Sequence, residues 1–176
     1  MKNEIIIPEE VEAEIRQNKL ILKGKEGENF REFLLGKINL EKKDKKIILS
    51  CEKATKREKR IMNTSVAHIK NMIQGVQKKF EYKLKICSSH FPMTVKIDGN
   101  KAVIKNFLGE KVDRKVDLPK NAEAKVDKEI ITILSIDKEL AGQAAANLEK
   151  ATKIRGRDRR VFQDGIYIIN KSGKEI

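Results

Sequence analysis

The chain has 176 residues, with 39 Lys or Arg against 26 Asp or Glu, a formal net charge of +13 and a pI near 9.7. That length accommodates one ordinary domain or two small ones, and the partner that gains most from such a field is a polyanion. A membrane-spanning reading is excluded, because no apolar run approaches the roughly 18 to 20 residues a spanning helix needs, and MKNEIIIPEEVEAEI does not resemble a signal peptide.

Apolar residues make up 39%, but aromatics are 5% and Trp is absent, so Ile, Val, Leu and Ala must fill any core. That favours small layered units over one large globule. Two cysteines, Cys51 and Cys87, without an export signal, read as reduced thiols of a cytoplasmic protein.

In chain order, Val11, Ala13 and Ile15 alternate with Glu10, Glu12 and Glu14, the period of a strand with one wet face. Runs at 20–23, 30–34 and 46–50 read as further strands, separated by Gly and charged turns. The period then changes. Met62, Val66, Ile69, Ile73, Val76 and Phe80 recur at spacings of three or four, one face of a helix. Strands are expected again at 93–97, 102–107, 112–116 and 129–136. A second helix follows Asp137, a good N-cap, and runs through LAGQAAANLEK, where Ala141, Gly142, Ala144, Ala145 and Ala146 keep it slim enough to lie close to a sheet.

These two series are one pattern repeated. Shifted by 82, Val11, Ala13, Ile15 and Leu20–Lys23 fall on Met93, Val95, Ile97 and Ala102–Lys105, while Gly27, Phe30 and Leu34 fall on Gly109, Val112 and Val116. A shift of 83 sets Asp44, Ile47 and Ile48 on Asp127, Ile130 and Ile131, and a shift of 79 sets Ile61, Ala67 and Ile69 on Leu140, Ala146 and Leu148. The fold expected is α+β: two similar duplicated domains, each a small, mostly antiparallel sheet packed with one helix. The boundaries expected are 1–81 and 82–152, with a basic C-terminal extension, 153–176, packing on the second repeat.

No catalytic constellation emerges. Glu9, Glu10, Glu12 and Glu14 are not preserved by the repeat and read as a solvated strand face rather than metal ligands. His68 lacks a second ligand one helical turn away. Ser88, Ser89 and His90 in SSHFP lack a G-x-S-x-G elbow and read as a turn before Pro92. No phosphate loop occurs. Neither metal, cofactor nor small-molecule substrate is expected.

The charge is concentrated. Residues 1–81 carry a net +6 and 82–176 a net +7, of which 150–160 (KATKIRGRDRR) supply +5. Lys150 and Lys153 suit a helix C-terminus, whereas Arg155, Arg157, Arg159 and Arg160 lie beyond that benefit. Arginine suits bidentate phosphate contact, and the alternation of Arg155, Arg157 and Arg159 suggests an extended arm. A weaker cluster, Lys53, Lys56, Arg57, Lys59 and Arg60, surrounds the start of the first helix, where cations oppose the helix dipole. Phe107, Phe162 and Tyr167 are isolated, so recognition of RNA shape and backbone is expected rather than base stacking. On these residues alone the readings are an RNA-binding protein, a small nuclease or other nucleic-acid-processing enzyme, and a DNA-architectural protein.

The segments HIKNMIQGV, SHFPMTV, KNFLGEK, AGQAAANLE and RVFQDGIYI resemble the large-subunit ribosomal protein L-six family, its archaeal and eukaryotic branch in particular. The resemblance spans nearly the whole chain. It implies two duplicated α+β domains and a non-enzymatic constituent of the cytoplasmic ribosome, bound to large-subunit ribosomal RNA near the sarcin-ricin loop and the factor-binding side, beside neighbouring ribosomal proteins. It implies RNA contacts at Lys153, Arg155, Arg157, Arg159 and Arg160, with Lys111 and Arg114 as weaker candidates. One departure concerns the first helix: the family pattern ends GV, two residues, then GF, and Lys79 stands here in place of that Gly.

Overall fold

The computed structural model describes residues 1–33, 36–52, 54–158 and 160–176. The chain divides into two compact units, Met1–Lys79 and Phe80–Ile176.

The first unit contains β1 (Lys2–Ile6), β2 (Glu12–Arg16), β3 (Lys19–Gly24), β4 (Gly27–Glu32), β5 (Asn39–Lys43), β6 (Lys46–Ser50) and α1 (Lys56–Gln77). Its strands form two antiparallel sheets, β1-β6-β5 and β2-β3-β4. Leu20, Leu22, Ile47, Leu49, Met62, Ile69 and Val76 are fully enclosed. The α1 stripe is the one the spacing gives, except that Phe80 lies beyond it. The helix stops at Gln77, Lys78 turns extended (φ −148°) while its N–H donates to Gln74 O at 2.9 Å, and Phe80 opens a strand. Lys79 has no positive φ, so this exit does not require glycine.

The second unit contains β7 (Phe80–Cys87), β8 (Thr94–Asp98), β9 (Lys101–Lys105), a 3-10 turn (Phe107–Gly109), β10 (Arg114–Asp117), β11 (Glu123–Asp127), β12 (Ile130–Ser135), α2 (Lys138–Ala151), β13 (Gly165–Lys171) and β14 (Lys174–Glu175). Its sheets run β10-β9-β8 and β11-β12-β7-β13-β14. Ala141, Ala144, Ala145 and Leu148 of α2 are fully buried with Leu84, Ile131, Ile133 and Ile166. A boundary after Glu81 would fall inside β7, where Phe80 and Glu81 already pair with Ser135 and Leu134.

Element by element the two units repeat, with β1 to β6 and α1 answering β7 to β12 and α2. Each unit holds two sheets rather than the single one expected. The registers correct two of the offsets. The hairpin turns β5–β6 and β11–β12 place Asp44 and Lys128 at positive φ, 50° and 53°, so the offset there is 84. It superposes buried Ile47 on buried Ile131, whereas 83 would set it on Ile130, which is 42% exposed. A one-residue slip exchanges the faces of a strand. In the other sheet, Lys19 and Lys101 differ by 82, but their partners Glu32 and Asp117 differ by 85. The second unit thus carries three extra residues between β9 and β10, and Val112, expected within a strand, is 80% exposed in that loop. Leu34, the end of an expected strand, lies outside the described residues. The second unit also has β13 along the outer edge of β7, the position left open on β1 among the described residues.

Candidate nucleic-acid interface

The basic segment after α2 is a pinned loop rather than an extended arm. At its start Thr152 is 3% exposed, and its hydroxyl accepts the Ile166 N–H at 2.8 Å from β13. Ile154 is buried beside it. Gly156 then adopts φ +68°, and the chain turns again as the Val161 and Phe162 N–H groups donate to Asp158 O at 3.2 and 2.9 Å. Lys150, Lys153, Arg155, Arg157 and Arg160 are all exposed; Arg159 lies outside the described residues. Arg160 donates from its backbone and guanidinium to the Asp158 carboxylate at 2.9 to 3.3 Å, and these bonds hold that carboxyl below its usual pKa.

The far end of the loop is clamped by Asp164, which is 2% exposed. Its carboxylate accepts the Ser89 N–H at 2.5 Å and the His90 N–H at 3.1 Å, and lies 2.6 Å from His90 Nδ1. Burial pushes the Asp164 carboxyl up, but the hydrogen bonds from His90 and Ser89 outweigh it and bring it down to about 2. The His90 ring stacks on Phe162, centroids 5.0 Å apart, and Arg157 lies over the Phe162 ring at 4.9 Å. Ser89, His90 and Asp164 superficially suggest a hydrolase triad. They are not one, because Ser89 Oγ and Asp164 Oδ2 both approach the same His90 nitrogen, at 3.2 and 2.6 Å; a proton relay needs the two ring nitrogens on opposite partners.

The extended β9–β10 connection adjoins this loop. Asn106, Leu108 and Gly109 take positive φ, Asn106 Nδ2 donates to Pro92 O at 3.0 Å, and Phe107 is buried. Arg114 braces the junction: it donates to both Glu110 oxygens at 2.7 and 2.5 Å and to Ala151 O, at the end of α2, at 2.5 Å. Its guanidinium also covers Phe107 at 4.3 Å. Arg114, foremost, and Arg157 lower the Glu110 pKa. Of the two weaker candidates here, Lys111 is exposed while Arg114 is half-buried and engaged within the fold.

In the first unit Lys56, Arg57, Lys59 and Arg60 are exposed on the opening turns of α1, and Lys53 lies outside the described residues. The helix begins despite these cations because a capping box closes it: Thr55 accepts the Arg57 N–H at 3.3 Å, and Glu58 accepts the Thr55 N–H at 3.0 Å. Of the carboxylates at the start of the chain, Glu9 pairs with Lys45 at 2.6 Å and Glu14 with Arg16 at 3.0 Å. Among the described residues no group of three His, Cys, Asp or Glu is arranged to hold a metal, and no helix is long and apolar enough to cross a membrane.

Sequence reasoning missed the clamp of His90, Phe162 and Asp164. The one signal present was the pair of residues taken separately, SSHFP and FQDG, both beside apolar strand runs.

The model of the ribosomal protein L6 family matches residues 7–79 and 91–165, one copy on each unit. The chain belongs to the ribosomal protein L6 family. Two relatives, each named large ribosomal subunit protein uL6, are 45% identical to it. That of Methanobrevibacter smithii aligns over 97% of this chain and 96% of its own length, and that of Nanoarchaeum equitans over 100% and 96%. The second L6 match takes in the whole of the pinned loop and ends at Gly165, where β13 begins.

Proposed function

We propose that this L6-family chain is a non-catalytic constituent of the large ribosomal subunit in the cytoplasm. In this reading it binds large-subunit ribosomal RNA near the sarcin-ricin loop, on the factor-binding side, among neighbouring ribosomal proteins. The second unit makes the principal contacts, through Lys150, Lys153, Arg155, Arg157, Arg159 and Arg160, with Lys111 beside them. Lys56, Arg57, Lys59 and Arg60 form a lesser contact, and Arg114 supports the surface from within the fold.

One observation carries the reading. Two departures from the internal duplication, the three extra residues between β9 and β10 and the loop after α2, both occur in the second unit, and Arg114 joins them through Glu110 and Ala151. The loop after α2 exposes Lys153, Arg155, Arg157 and Arg160 against Asp158, and the β9–β10 connection adds Lys111; these cations repel one another unless an anion lies across them.

If about five phosphates are neutralised, log K falls with log salt at a slope near −4.5, using the duplex DNA coefficient, and a fourfold rise in salt costs roughly 10² to 10³ in affinity. Changing Arg155, Arg157 and Arg160 together to Ala is expected to flatten that slope by about three and to erase protection of the RNA at the contacted nucleotides. Equal slopes and equal protection for the parent and the triple variant would place the interface elsewhere.

A further inference from the structure

The exposed cations of the loop are not equivalent. A long side chain that moves freely in the unbound protein loses rotamer freedom when it meets a phosphate, and restraint beforehand reduces that loss. Arg157 has such a restraint. Its Cζ lies 4.9 Å from the Phe162 ring centroid, within the range of cation–π attraction. The Phe162 ring stacks on His90 with an interplanar angle of 28°. His90 is held in turn, its ring nitrogen and its backbone N–H both on the buried Asp164 carboxylate. A column thus runs from an enclosed anion through two rings to an exposed cation, and it links the loop before β8 to the loop before β13.

We propose that His90 and Phe162 are positioning residues that hold Arg157 oriented toward a phosphate of bound RNA. This rests on the reading of the basic loop as an RNA contact. Phe162 is half-buried and the His90 side chain is 37% exposed, so neither ring is enclosed in the core; Phe162 is the floor on which the guanidinium lies, and His90 backs it. The planar guanidinium keeps its edge donors available while its face is occupied, so stacking and phosphate binding are compatible.

The test uses the full chain and a transcript of large-subunit ribosomal RNA, titrated at several salt concentrations. Arg157→Ala is expected to weaken binding about tenfold and to lower the salt slope by about one. Phe162→Leu, which keeps apolar bulk but removes the ring, is expected to shift affinity in the same direction, and Phe162→Tyr to restore it. The Arg157→Ala, Phe162→Leu double variant is expected to bind no more weakly than Arg157→Ala alone. His90→Gln, which retains a hydrogen bond to Asp164 without the ring, gives a second measurement should Phe162→Leu lower the melting temperature. If Arg157→Ala weakens binding while Phe162→Leu and His90→Gln bind like the parent, or if the double variant multiplies the two losses, positioning is overturned and the RNA contact stands. If Arg157→Ala binds like the parent, the contact at Arg157 is refuted and the proposal falls with it.

Discussion

Asp164 is enclosed by protein yet ionised, and the sign of its effect on stability follows from its partners. Its carboxyl titrates at about 2 in the fold against 3.8 ordinarily, so the native state binds that proton less readily than the unfolded chain does. The stabilisation is fully present above about pH 4 and is lost as the pH falls through about 2. At 1.36 kcal/mol per pH unit it is of the order of 2 kcal/mol. Asp164→Asn is therefore expected to unfold more easily than the parent at pH 6, with the difference shrinking toward pH 2. A difference that stays constant across that range in denaturant titrations would show that the charge is not the source. The sequence did not show that these residues meet: 74 residues separate His90 from Asp164, and His90 in SSHFP reads only as part of a turn before Pro92.

At the scale of elements, two glycines make opposite demands. A Cβ on Gly24, at the end of β3, would stand 2.7 Å from the carbonyl oxygen of Val76 in α1, the same oxygen that accepts the Glu26 N–H at 3.0 Å. Backbone has little room to yield. A Cβ on Gly142 in α2 would rest 3.5 Å from the Tyr82 hydroxyl, an ordinary contact, and Ala is the better helix former by up to about 1 kcal/mol. Gly24→Ala is expected to cost about 1 to 3 kcal/mol, and Gly142→Ala to be neutral or stabilising. Melting curves that rank the two the other way would refute this packing. Both helices were legible because burial imposes a long apolar period on α1 and small residues on α2. The edge strands β5 and β11 were not: NLEKK and EAKVD expose most of their side chains, as edges guarded by charge do, and so resemble loops. β7 was obscured because Phe80 continues the α1 period by coincidence. The duplication was legible, but its offset had to change at each inserted loop, and only strand pairing locates those insertions.

For the whole molecule, a net charge of +13 was legible at once, whereas the adjacency of the β9–β10 loop and the loop after α2 depends on contacts between residues such as Arg114 and Ala151, 37 apart. The charge has a consequence for the unbound protein. Its ion pairs, such as Lys45 with Glu9, Lys46 with Glu4 and Arg16 with Glu14, join exposed side chains. Such exposed pairs contribute little, and salt weakens them. Salt also screens the repulsion among the excess cations, which acts over longer distances than any one pair. The screening length falls from about 30 Å at 0.01 M salt to about 8 Å at 0.15 M, so the long-range repulsion is suppressed first. Added salt in this range is therefore expected to raise the melting temperature of the free chain while it lowers the affinity for RNA. Bound RNA stabilises the fold by mass action, so the melting temperature of the complex should move downward with salt, toward that of the free chain. A free chain that melts at lower temperature as salt is added would show that its surface pairs outweigh the repulsion, and the excess charge would then need no polyanion to relieve it.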